Sequence, residues 1–106
     1  PRPEQAIRDY YQLLGQRQYP TAWQRLTPNF QQGEAGGYDG FLAWWQSVRS
    51  VGISAVRPVR QDGRSAAIDV DLTYEMPDGT YPETLRITLV WSEPAGQWLI
   101  DATERR

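Results

Sequence analysis

Between Val48 and Ala66 the hydrophobic period of this chain changes from 3.6 residues to 2, and no other feature restricts its fold as much. Before the change, Ile7, Tyr10, Tyr11 and Leu14 recur at i, i+3, i+4 and i+7, one apolar face of an amphipathic helix that Gly15 ends. Pro20 can open a second helix at its first turn, where a missing N–H leaves no bond unmade; Trp23, Leu26 and Phe30 then form a shorter apolar stripe. The segment "QQGEAGGYDG" places four glycines in ten residues and reads as a loop. Asp39 is the expected N-cap of a third helix, in which Phe41, Trp44, Trp45 and Val48 repeat the first helix's spacing. Adjacent tryptophans on a helix lie about 100° apart, and a stripe of that width holds both rings. The stripe therefore reads as core; the other reading has one ring, at its edge, lining a pocket.

After the change, Ala66, Ile68, Val70, Leu72, Tyr74 and Met76 alternate with Ala67, Asp69, Asp71, Thr73 and Glu75, a strand with one buried and one wet face. Leu85, Ile87, Leu89 and Trp91 alternate likewise. Trp98, Ile100 and Ala102 make a further strand, and Ile53 to Arg60 a weaker first one. "MPDGTY" carries hairpin chemistry, with a loop at Asp78-Gly79 or from Pro77 to Thr80. Either loop predicts Leu72 opposite Leu85, Val70 opposite Ile87, Ile68 opposite Leu89, and Asp71 beside Arg86. "SEPAGQ" predicts Trp91 opposite Trp98 and Leu89 opposite Ile100. If Asp62-Gly63 makes a two-residue turn, Arg57 opposes Ile68 and points inward, where it needs a carboxylate partner. A bulge near Pro58, the preferred reading on an edge strand, returns Arg57 to solvent.

Helices followed by a four-stranded antiparallel meander define an α+β domain with the helices on one sheet face. At 106 residues the chain is a single domain spanning 1–106, small enough to need bulky core side chains, which five Trp, six Tyr and two Phe supply. It opens at Pro1, two residues before a helical pattern, and reads as a piece cut from a longer protein. With no Cys and no His, thiolate catalysis, disulfides, Cys/His zinc sites and Ser-His arrangements are excluded. All eleven basic residues are Arg, scattered without a run or stripe at net charge −2, so no nucleic-acid partner is expected. No apolar run reaches the roughly 20 residues that cross a bilayer. Asp69, Asp71 and Glu75 read as a solvated strand face rather than a catalytic or calcium cluster, because their parity opposes Ile68, Val70 and Leu72.

In these elements the chain resembles the nuclear transport factor 2-like fold. More narrowly, "AIRDYYQLLGQRQYPTAWQRLTPNF", "WWQSV" and "WLIDATER" are similar to a domain at the C-terminus of some bacterial membrane-anchored serine/threonine kinases. The resemblance implies N-terminal helices packed on the concave face of a bent sheet, an aromatic pocket between them, and an extracytoplasmic location. No kinase catalytic motif is present, and no residue matches the pocket aspartate of ketosteroid isomerase-like relatives. The expected function is a non-catalytic sensory or interaction module. A small pocket isomerase or hydrolase, and a structural spacer, are the alternatives. The pocket candidates are Tyr11, Trp23, Phe30, Trp45, Tyr74, Trp91 and Trp98, with Arg57 as a polar anchor for a small apolar or carboxylate ligand. No catalytic residue, metal or cofactor is expected. A protein partner is the other occupant considered. The outer face is expected to hold carboxylates with one clear cation, which disfavours pairing of two such faces and implies a monomer or weak dimer.

Overall fold

The computed structural model describes residues 2–106. Four helical elements come first, α1 (Pro3–Gly15), α2 (Tyr19–Trp23), α3 (Pro28–Gln32) and α4 (Gly37–Ser47). The strands β1 (Ser50–Gln61), β2 (Ser65–Met76), β3 (Gly79–Ser92) and β4 (Gln97–Arg105) follow, in sheet order β1-β2-β3-β4. Every neighbouring pair is antiparallel. This is the α+β architecture that the change of period demands, compatible with a nuclear transport factor 2-like cone. The inner face of the sheet, Ile68, Val70 and Leu72 with Ile87 and Leu89, is buried against Ile7, Tyr10, Tyr11 and Leu14 of α1 and Phe41 and Trp45 of α4.

The helical half departs from expectation at two places. Trp23, Leu26 and Phe30 do not share one helix. Pro28 disfavours a helical Thr27, which is extended at φ −70° and ψ 157°. The freed segment instead lies beside β4: Thr27 N–H donates to Ile100 O, and Ile100 N–H donates to Arg25 O, both at 2.9 Å. Thr27 then caps α3, its Oγ1 accepting from Phe30 N–H at 3.1 Å and donating to Asp101 Oδ1 at 2.7 Å. Asp39 is not the N-cap of α4 either. Gly36 holds that position at φ 70°, and Asp39 lies in the first turn, where its charge still favours the helix N-terminus.

In the sheet, the β3–β4 hairpin has the expected register, with Trp91 opposite Trp98 and Leu89 opposite Ile100. The β2–β3 hairpin is shifted by two residues: Ile68 faces Ile87, Val70 faces Leu85, and Leu72 faces Glu83. Its loop is Pro77-Asp78, closed by Met76 opposite Gly79, whose φ of 150° suits glycine. The first hairpin also turns later than expected. Asp62 N–H donates to Ser65 O, and the Asp62 carboxylate accepts from the N–H groups of Arg64 and Ser65, which leaves Gly63-Arg64 as the turn.

Shifts of register decide which charges meet. A bulge between Pro58 and Arg60 sets Arg57 opposite Asp69 on the outer face. There its guanidinium makes a two-pronged bond to Asp71 at 2.7 and 2.9 Å, so Arg57 is no pocket anchor. Arg86 meets Asp69, not Asp71, at 2.7 and 3.0 Å. A bulge between Thr88 and Leu89 takes Asp101 out of the outer row in which alternation had set it; Thr88 now faces Ala102. The outer carboxylates Asp69 and Asp71 therefore each carry their own arginine. Pairing each carboxylate with an arginine lessens, without removing, the desolvation cost expected to keep two such faces apart.

Two outcomes follow from these bonds. Thr27→Val, which keeps the shape but deletes the hydroxyl, should lower unfolding free energy by about 1–2 kcal/mol, with Thr27→Ser largely neutral. An unchanged urea midpoint for the valine variant would show that the cap is idle. The second concerns pH. Hydrogen bonds from Arg57, then Thr84, hold the Asp71 carboxyl at about 2, below its ordinary 3.8. A group depressed in this way stabilises the fold above its unfolded value and stops doing so as pH falls through its folded value. The stability gap between wild type and Asp71→Asn should therefore shrink between about pH 4 and pH 2. Urea titrations showing a constant gap across that window would refute the pairing.

Candidate functional site

A cavity of about 1050 Å³ lies between the helical layer and the end of the sheet formed by the β2–β3 hairpin and the close of β4. Its walls are built by parity. On β2 the inner residues Tyr74 and Met76 reach it, on β3 Tyr81, Glu83 and Leu85, and on β4 Ile100, Thr103 and Arg105. Asp78, Pro82, Thr84 and Arg106, with Tyr10 and Tyr11 of α1, Phe30, Glu34 and Ala35 around α3, and Phe41, Trp44 and Trp45 of α4, complete the lining.

Trp45 meets two rings edge to face, Tyr11 at 6.2 Å and 75° and Trp44 at 6.3 Å and 66°, and lies tilted at 33° to Tyr74 at 6.3 Å. Trp44 also meets Tyr74 at 6.4 Å and 64°. Of the two adjacent tryptophans, Trp45 is buried and belongs to the core. Trp44 is 50% exposed and stands on the cavity wall, so the expectation that both rings are core fails for it. Tyr81, 47% exposed, is a second large ring in the lining that remains open to solvent.

The polar groups inside are few. Glu83 is 19% exposed, and its Oε2 accepts from Arg105 Nε at 2.8 Å. Burial first, then the neighbouring charge of Glu83, push the Tyr74 phenol well above its ordinary value. Burial does the same to Tyr10 and Tyr11, so all three phenols are neutral hydrogen-bonding groups near neutral pH. Glu34 closes the α3 side, its carboxylate accepting from Thr103 N–H at 2.9 Å and Thr103 Oγ1 at 2.6 Å. Among the described residues no cluster of acidic side chains has the arrangement of a metal site.

Of the residues expected from sequence, Tyr11, Phe30, Trp45 and Tyr74 line the cavity together. Trp23 packs instead on Tyr38 and Phe41 at 5.3 and 5.1 Å. Trp91 and Trp98 pair with each other at 5.7 Å, outside the cavity lining, and Arg57 lies on the opposite face of the sheet. Glu83 and Arg105 were missed because both strands run beyond the alternating cores that sequence reveals. The signal available was parity: Glu83 lies two residues before Leu85, hence on the same face.

Fold and cavity together define a small α+β domain with an aromatic-walled cleft whose lining includes Glu34, Asp78 and Glu83. No family model matches the chain. Over 105 residues, 94% of its length, it is 32% identical to the serine/threonine-protein kinase PknA of Nostoc sp. (strain PCC 7120). The chain spans 19% of the length of that kinase, so the likeness is to a region of a signalling protein. No helix among the described residues is long and apolar enough to cross a membrane.

The two tryptophans should separate in mutagenesis. Trp45→Ala should cost about 3–5 kcal/mol, as for a large buried aromatic. Trp44→Ala should cost about 1 kcal/mol or less, because half of its surface is already in water. Equal losses in urea unfolding would make both rings core and remove Trp44 from the cavity wall.

Proposed function

We propose that this chain is a non-catalytic ligand-binding domain of a larger signalling protein, a serine/threonine kinase, and that the cavity is its sensory site. The carrying observation is the cavity itself. A concave, mostly aromatic volume with few polar groups is the usual form of a small-molecule site, and two of its rings, Trp44 and Tyr81, stay exposed at a cost that a filled core avoids. The likeness to one region of a kinase supports the larger setting. The resemblance to C-terminal domains of membrane-anchored kinases adds an extracytoplasmic location to the same reading.

A pocket enzyme is the second reading, and Glu83 is what favours it, a carboxylate beside a phenol donor inside a cleft. Against it, the Glu83 carboxylate is engaged by Arg105, whereas a general base needs free reach to a substrate proton.

Amide chemical shifts of the labelled chain, recorded against a library of small organic molecules, test the proposal. Binders should perturb Trp44, Tyr74, Glu83 and Thr103 together and emerge chemically unchanged. If no molecule perturbs the cavity, or every response falls on the outer face, the proposal fails. Turnover of a bound molecule that Glu83→Gln abolishes would replace it with the enzyme reading.

A further inference from the structure

We infer that the ligand of this cavity is a small organic cation, an ammonium group bearing apolar substituents, held by Glu83 and the faces of Trp44, Trp45 and Tyr74. The inference rests on the ligand-binding reading above and gives it a chemical class. The sign of the charge comes from what points inward. Glu34, Asp78 and Glu83 are carboxylates in the lining, outnumbering the guanidiniums of Arg105 and Arg106, and Arg57 is bonded to Asp71 on the far side of the sheet.

Of the two arginines in the lining, Arg106 is held by Glu104 and Arg105 by Glu83, and the placement of Arg105 makes it displaceable. Its side chain is 84% exposed while that of Glu83 is 19% exposed, so the carboxylate is fixed in the wall and the guanidinium reaches in from solvent. An ion pair with so exposed a partner contributes little net free energy. A ligand cation entering the cleft can take the Arg105 position on Glu83 and release the arginine to water.

The rings supply the second half of the recognition. Trp44, Trp45 and Tyr74 stand 6.3–6.4 Å apart, with Trp44 inclined at 64–66° to the other two, so they form angled walls and not a single stack. Aromatic faces carry negative potential, and a cation within about 6 Å of a ring centre is attracted to it, most strongly by tryptophan. An alkylated ammonium uses both features: its charge meets Glu83 and the ring faces, and its alkyl groups fill apolar space. An anion would face three carboxylates against two arginines already bonded to Glu83 and Glu104, and a neutral apolar molecule would leave the Glu83 charge without a new partner.

The test is a titration of the chain with choline and with 3,3-dimethylbutan-1-ol, which has the same shape without the charge, read by tryptophan fluorescence and amide shifts. Benzoate serves as the anionic probe. Choline should bind at least about tenfold more tightly than the alcohol. Glu83→Gln should erase that preference, and Trp44→Ala should weaken choline binding while near-ultraviolet circular dichroism shows the fold intact. Arg105→Ala should tighten choline binding, by up to about fivefold, since it removes the competing cation. Loosening by Arg105→Ala, or equal binding of choline and the alcohol, overturns the inference. If benzoate or the alcohol perturbs Trp44 and Tyr74 and choline does not, the cation class is wrong and the ligand-binding reading stands. If none of the three perturbs the cavity, the inference fails, and the library screen decides the broader reading alone.

Discussion

The attachment of the Arg25–Thr27 segment to β4 is the constraint on which the rest of the helical layer depends. Pro28 ends any helix before it, and the backbone groups so released must find partners. They find them on Ile100, whose N–H and C=O are both engaged by this segment. The Thr27 hydroxyl, on a residue only 6% exposed, adds one bond to Asp101 and accepts another from the first turn of α3. Farther along, Glu34 is fixed to Thr103 through two bonds. These two ties fasten α3 and its following loop along β4. The α3 side of the cavity is therefore a braced wall and not a free loop.

Bulges decide the polarity of the two faces. Alternation alone would have sent Arg57 inward and left Asp71 without it. The irregularity between Pro58 and Arg60 reverses that, and the bulge at Thr88/Leu89 turns Asp101 toward Thr27 instead of the outer row. An edge strand tolerates a proline and an extra residue because half of its ladder is unpaired in any case. The result is an outer face of matched ion pairs and an inner face whose charged residues near the cavity are the partly buried Glu83 and its exposed partner Arg105. The electrostatic character of the cleft thus follows from single-residue insertions far from it.

Faces were legible in the sequence, while positions along the strands were legible only in part. The periods of α1, α4, β2 and β3 sort every core residue to the correct side, since burial enforces parity. A shift of two residues preserves parity, so the apolar pattern of β2 and β3 accepts Leu72 opposite Leu85 as readily as opposite Glu83. Only the turn could decide, and "MPDGTY" contains more than one acceptable loop. The start of β3 was hidden for a different reason. Pro82 reads as a strand breaker, yet β4 pairs with β3 only from Leu85 onward, so the missing N–H of Pro82 faces an open edge. Glu83 was lost to view with it. The Trp44–Trp45 pair marks the limit of stripe counting: the spacing holds both rings, but only the position of the sheet end determines which one has something to pack against.

Why the aromatics do not fill the cone bears on what the domain is for. A chain of this size gains stability mainly from the area it buries, and large rings bury the most. A spacer under selection for stability alone would draw Trp44 and Tyr81 inward or replace them with polar residues. Here both remain about half exposed around a cavity of about 1050 Å³, beside a carboxylate that the fold has taken largely out of water. Exposed rings and a sequestered charge each work against stability, and the two occur at the same place. Walls braced by Thr27 and Glu34 keep that place open instead of letting it collapse. The combination has a physical use when something with apolar surface and a complementary charge enters from solvent, because the rings then gain the burial they lack and Glu83 gains a partner inside the protein.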